Sequence, residues 1–209
     1  MKKTIAAAAA LLLGFAAGAQ AGIHIALFAG YATTPGSGAG DGVLIGGRVG
    51  FSLSKMWSLE ITAGRWQLPL PGTTEGLSKG KITETPVELE LRAHIPLGAR
   101  GIRGYAAAGA GYAMHSFALD STIVGGWRTA GLEVNESVDH GLAAHLGLGV
   151  EITLGPAAAV EIGARYSILR TKGTWAMADQ AGGESVGGTL AGLAFDALAV
   201  VAGFRVAFR

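Results

Sequence analysis

From Val87 to Ile95 the chain reads Val-Glu-Leu-Glu-Leu-Arg-Ala-His-Ile, with an apolar residue at every odd position and a charged residue or histidine at every even one. A β-strand sends successive side chains to opposite faces, so this pattern predicts a strand with one apolar and one polar face; a helix would mix the two sets. The alternation recurs at Leu142–Leu154, Ala158–Ile168 and Leu198–Phe208, and in shorter form at Ile23–Tyr31, Val43–Leu53 and Trp57–Ala63. Tyr105–Met114 has an Ala/Gly core with almost no facial contrast. It is assigned to a strand from its neighbours and from the tyrosines that bracket it, Tyr105 and Tyr112, and its facing is left open.

Eight strands result, joined by connections that alternate in length. Ala32–Gly42, Gln67–Thr85, His115–His140 and Arg170–Thr189 are long and polar or Gly-rich, whereas Ser54–Met56, Pro96–Ile102 and Gly155–Ala157 are short. The long loops therefore share one end. Such a sheet has two physical solutions: a soluble barrel or sandwich with its apolar face inside, or a membrane barrel with its apolar face outside.

The N-terminus separates them. Met1-Lys2-Lys3 is a short cationic stretch, Thr4–Ala17 is uncharged and apolar, and Ala19-Gln20-Ala21 is an A-x-A site, together the pattern of a bacterial secretory signal peptide cleaved before Gly22. Domain expectations are therefore a signal peptide at 1–21 and an outer-membrane β-barrel domain at 22–209. Export, strands of about 10 residues, short turns at one end and aromatic strand termini match an eight-stranded antiparallel transmembrane β-barrel in a bacterial outer membrane.

Composition narrows the rest. Mean hydropathy is +0.41 with 35 glycines, yet beyond Gly22 no run of about 18 apolar residues exists to make a membrane helix. There is no cysteine, which excludes a disulfide scaffold and a cysteine zinc site; 16 basic against 15 acidic residues give no charge balance suited to nucleic acid.

The last strand, with Phe204, Val206 and Phe208 on one face, resembles the C-terminal signal by which outer-membrane barrels are recognised for insertion, although Arg209 follows where that signal ends on the aromatic itself. Thr85–Pro96 followed by Gly104–Tyr112 resembles the central hairpin of OmpW-like proteins, and Asp139–Glu151 resembles the strand that follows it. OmpA-like barrels are the second resemblance. The first implies an eight-stranded barrel associated with passage of small hydrophobic molecules; the second implies a structural or adhesive surface barrel.

The polar faces form the first candidate site. An eight-stranded barrel is just wide enough for its own side chains. Its inward set would hold Glu60, Glu88, Glu90, Glu151 and Glu161 with Arg48, Arg92, Arg165 and Arg205, with His94 and His145 in the same network and His24 nearby. Such near-balance predicts a lumen charge network closing the barrel to free ion flow, the rival reading being a gated polar pathway. The second candidate is a hydrophobic outer mouth built from loop residues Trp66, Leu68, Leu70, Ile123, Val124 and Trp127. Trp57, Tyr105, Tyr166, Phe204 and Phe208 read as interfacial or lipid-facing aromatics.

No enzyme is expected. His115 and Ser116 are adjacent on a strand and so point to opposite faces, which prevents a simple nucleophile–base dyad. Isolated His94 and His145 lack metal-ligand spacing, and no cofactor is implied. Gly76–Ile82 is one residue short of a phosphate-binding loop and lacks its final Ser/Thr. The expected partners are outer-membrane lipid and lipopolysaccharide, the outer-membrane assembly machinery and small hydrophobic solutes, with no nucleic acid. The leading functional expectation is a minor porin for small hydrophobic solutes; the alternative is a surface barrel with a closed, ion-paired lumen.

Overall fold

A computed structural model describes residues 22–35, 39–72, 76–98, 100–179, 183 and 185–208. The expected leader and Arg209 lie outside them. Among the described residues ten strands run β1 (Ile23–Thr33), β2 (Gly42–Ser52), β3 (Trp57–Leu70), β4 (Gly80–Pro96), β5 (Ile102–Leu119), β6 (Leu132–Val138), β7 (Gly141–Thr153), β8 (Ala158–Asp179), β9 (Ser185–Ala194) and β10 (Ala197–Phe208), with a helix, α1 (Ser121–Thr129), between β5 and β6. All pairings are antiparallel. Sheet order is β1-β2-β3-β4-β5-β7-β8-β10, and β10 returns to pair with β1 from Ile23↔Phe208 to Thr33↔Leu198, which closes the barrel.

β6 and β9 add no wall of their own. β8 pairs with β7 up to Arg170 and with β6 from Gly173 to Asp179, while its other edge passes from β10 to β9. The sixth barrel strand is thus β6 with β7 and the eighth is β9 with β10, each one long strand interrupted in the middle, while β8, the seventh, runs unbroken between them. What the sequence suggests are long loops are in large part strand: Gln67–Leu70 and Gly80–Thr85 extend β3 and β4, and His115–Leu119 extends β5.

This extension inverts the alternation. On β3 the outward residues run Trp57, Leu59, Ile61 and Ala63, then Arg65 and Gln67, while the inward row runs Ser58, Glu60 and Thr62, then Trp66, Leu68 and Leu70. β4 matches it: Val87, Leu89, Leu91 and Ile95 face outward below Thr85, Thr83 and Lys81. On β8, Ile162, Ala164 and Tyr166 give way outward to Arg170 and Lys172. The apolar belt ends where Val87, Tyr112 and Leu142 sit side by side on β4, β5 and β7. Below that line the outer solvent is lipid; above it the wall faces water and the interior must supply the apolar core.

β5 resolves its own facing. Tyr105, Ala107, Ala113 and His115 are buried inside, and Ala108, Tyr112 and Met114 face out. Tyr105 is therefore a lumen residue, 5% exposed, and not part of the aromatic girdle. Trp57, Tyr166, Phe204 and Phe208 are exposed on the outer surface. The glycines that flatten the sequence pattern are moulded to opposing side chains: a Cβ at Gly109 would overlap the His145 ring, and one at Gly163 would overlap the Tyr105 hydroxyl.

Candidate functional site: the two-layer lumen

The half of the lumen toward the short turns, the periplasmic end of an outer-membrane barrel, is a charge network. Glu60 receives hydrogen bonds from Ser58 Oγ (2.8 Å) and His24 Nε2 (3.0 Å), and its other oxygen forms an ion pair with Arg48 Nε at 3.1 Å. Arg92 donates through Nη1 to Glu161 (2.7 Å) and through Nε and Nη2 to Glu90 (3.1 and 2.9 Å). Arg48 also reaches Glu161, and Arg165 reaches Glu88. His145 sits between two carboxylates, with Nδ1 3.0 Å from Glu88 and Nε2 2.8 Å from Glu90. Ionised carboxylates only accept, so both ring nitrogens donate and the ring is an imidazolium. Four carboxylates (Glu60, Glu88, Glu90, Glu161) then meet three guanidiniums (Arg48, Arg92, Arg165) and one imidazolium, a neutral set. The Arg92 guanidinium also lies over the Tyr105 ring, 4.2 Å from its centre, and the Arg48 guanidinium 5.4 Å from that of Phe28.

Of the sequence-derived network residues, Glu151 and Arg205 form a separate group with Arg103 at the periplasmic end, where both arginines bind Glu151 Oε1, Arg205 at 2.5 Å. His94 bonds Ser58 at 3.2 Å. Sequence reasoning placed His24 only near this set and did not assign Ser58, Tyr105 or Arg103 to it. The even register of β3 marks Ser58; Tyr105 and Arg103 had no signal, because β5 has no facial contrast.

The outer half is apolar. Trp66, Leu68, Leu70, Leu77, Ile82, Leu169, Leu193 and Phe195 are each at most 1% exposed and fill the lumen above the network. Leu77 enters from the connection between β3 and β4, where Gly76 takes φ +85°, and Glu136 of β6 pins that turn by accepting from Ser78 N (2.8 Å) and Ser78 Oγ (2.5 Å). The expected hydrophobic mouth does not form as one site. Trp66, Leu68 and Leu70 are strand residues sealed inside the plug, while Ile123, Val124 and Trp127 are partly exposed on α1 outside it. Val124 and Trp127 instead line a groove of about 290 Å³ with Leu119, Leu132 and Val134.

Within the plug lies a buried carboxyl, with buried His115 beside it. Glu84 is 0% exposed above the apolar belt, and neither carboxyl oxygen has a hydrogen-bond partner among the described residues. Burial alone pushes its carboxyl up to about 8. His115 donates Nδ1–H to the Asp139 carbonyl at 2.8 Å, which leaves a bare Nε2 3.8 Å from Glu84; burial lowers the His115 pKa. Ser116 faces out. Among the described residues no three His, Cys, Asp or Glu side chains are grouped to hold a metal.

A closed antiparallel barrel with a lipid-facing belt and polar interior defines a transmembrane barrel of the bacterial outer membrane. The chain belongs to the outer membrane protein beta-barrel domain family, whose family model matches residues 5–205. No curated protein matches the sequence. Among solved structures, the outer membrane protein OprG from Pseudomonas aeruginosa is similar at 16% identity and a TM-score of 0.58, covering 90% of this chain and 96% of OprG. Neisserial surface protein A is similar at 11% identity and a TM-score of 0.53, covering 90% of this chain and 97% of that one. At these identities the likeness is one of fold.

Proposed function

We propose that this protein is a closed outer-membrane barrel that works through its outer surface, its lumen serving as a structural core and not as a conduit. One observation carries the reading: two seals of different chemistry are stacked along one axis. Ion flow would require breaking the buried network and displacing Trp66, Leu68 and Leu77 together. Planar-bilayer recording of the folded protein tests it. Silence in wild type and in Arg92→Ala is expected; discrete openings in wild type overturn it, and openings confined to Arg92→Ala would favour a gated polar pathway.

A second reading, passage of small hydrophobic solutes as the OmpW-like motifs imply, is favoured by the groove beside α1, where Trp127 and four aliphatic side chains line a cleft rimmed by Arg128 and Glu133 outside the sealed lumen. Its test is Trp127 fluorescence during titration with a long-chain amine, taken as the difference between wild type and Trp127→Phe. An unchanged difference spectrum removes the reading. In either case no reaction is assigned to the protein. Its partners are the lipid around the belt, lipopolysaccharide at the outer rim and the assembly machinery that reads Phe204, Val206 and Phe208.

A further inference from the structure

The periplasmic end of the lumen opens into a vestibule of about 1240 Å³. Its described lining includes Lys55, Arg103 and Arg205 and no acidic residue. Behind the lining, Glu151 is fully buried and engages both arginines through one oxygen, so two guanidinium charges meet a single carboxylate. The network further in is neutral by the count above and does not balance this excess. An anion entering from the periplasm therefore meets uncompensated positive charge in a confined space.

The donors are specific. Arg103 and Arg205 each use one Nη2 on Glu151, and Arg103 Nε has no hydrogen-bond partner among the described residues. His94, 5% exposed, lines the same vestibule with an unpartnered Nδ1. Its tautomer follows from its neighbours. Ser58 has one hydroxyl proton and gives it to Glu60, so the Ser58–His94 contact is donated by His94 Nε2–H, and a neutral ring is left with a lone pair on Nδ1. His94 pairs with Tyr105 across the β4–β5 hairpin, which makes Arg103 its diagonal neighbour, about 7–8 Å away for such pairs.

We propose that this vestibule binds a hydrogen phosphate group, free or as a phosphate monoester. The ligand's anionic oxygens accept from Arg103 and Arg205, and its P–OH donates to His94 Nδ1. Two kinds of group are needed because guanidinium donors alone bind any oxyanion. An acceptor beside them selects an anion that still carries a proton: inorganic phosphate keeps one as its dianion through neutral pH, a monoester keeps its last one only up to about pH 6, and sulfate carries none.

Isothermal titration of the folded protein in detergent micelles, at constant ionic strength and at about pH 6, where both phosphates carry a P–OH, tests this with inorganic phosphate, glycerol 3-phosphate and sulfate. Saturable phosphate binding is expected, with sulfate at least tenfold weaker. A response to glycerol 3-phosphate equal to or above that to phosphate identifies the monoester as the preferred form, and the reverse identifies the free ion. Arg103→Ala should weaken phosphate at least tenfold. His94→Gln keeps an N–H toward Ser58 but loses the Nδ1 acceptor, and should bring phosphate and sulfate within about twofold. Equal binding of phosphate and sulfate by wild type, absence of saturable binding, or an unaffected Arg103→Ala overturns the proposal. Should either variant lose the heat-modifiable gel mobility of a folded barrel, the wild-type comparison of the two anions decides alone.

Discussion

The two halves of the lumen fill the same cylinder with opposite materials. Below the rim of the lipid belt, Glu60, Glu88, Glu90 and Glu161 are matched by Arg48, Arg92, Arg165 and His145; above it, Trp66, Leu68, Leu70 and Leu77 pack against Leu169, Leu193 and Phe195. The wall's surroundings explain the difference. Where lipid covers the outside, apolar residues are committed outward, and the alternate residues must pair one another within a space too narrow for bulk water. Where water covers the outside, the same β3 and β4 strands turn their apolar rows inward and the interior becomes an ordinary hydrophobic core.

The two materials respond differently to damage. Arg92→Ala should be the most severe change, because it leaves Glu90 and Glu161 buried with fewer partners; a loss of about 3–5 kcal/mol is expected from urea unfolding in lipid vesicles. Arg92→Lys should recover only part of it, since one ammonium cannot serve Glu90 and Glu161 in the directions the guanidinium does. In the apolar half, Trp66→Ala should cost about 3–5 kcal/mol through lost burial and a residual cavity, and Trp66→Phe clearly less. A polar half as tolerant of truncation as the surface would break the comparison.

Glu84 sharpens it as an acid fully buried in the apolar half. Its carboxyl is raised from 4.5 to about 8, so the folded state holds its proton through a window in which the unfolded chain has already released it. Stability therefore falls as pH rises from about 4.5 to 8, by about 3 kcal/mol at pH 7. Glu84→Gln should flatten that part of the pH–stability curve, with His115 the nearby group still titrating. A decline that persists unchanged in Glu84→Gln would assign it to other groups. The smallest effect is expected from Glu136→Ala, which frees the Ser78 turn over Leu77 and should cost about 1–2 kcal/mol. It should also raise amide exchange at Leu77 without affecting β1 or β10.

The membrane belt was legible in the sequence because alternation there is strict: Val87–Ile95 assigns both faces of β4 from nine residues. The outer half was not, for a related reason. Gln67–Thr85 looks like a loop when apolar residues are expected outward, since Arg65 and Gln67 occupy the positions where lipid-facing groups were anticipated. Carrying the even register of β3 past Thr62 would have led to Trp66, Leu68 and Leu70 as inward residues, and the same step on β4 to Glu84. β5 offered no such route. Its facing is fixed by the fit to other strands, the His145 ring of β7 over Gly109 and its own Tyr105 over Gly163 of β8, and those partners do not lie within the segment itself.

The seam between β1 and β10 joins residues near opposite ends of the described chain, Ile23 to Phe208 and Thr33 to Leu198. Contacts of such long sequence separation can form only after the loop-closure entropy of nearly the whole molecule has been overcome, and topologies dominated by them fold slowly. Until that seam closes, both β1 and β10 carry an unpaired row of amides and carbonyls that hydrocarbon cannot satisfy. The barrel therefore has no half-length intermediate that is stable in the bilayer. β1 finds a partner for one edge in β2, but its other edge waits for β10, which holds both the closing edge of the circle and outward residues such as Val200 and Phe204.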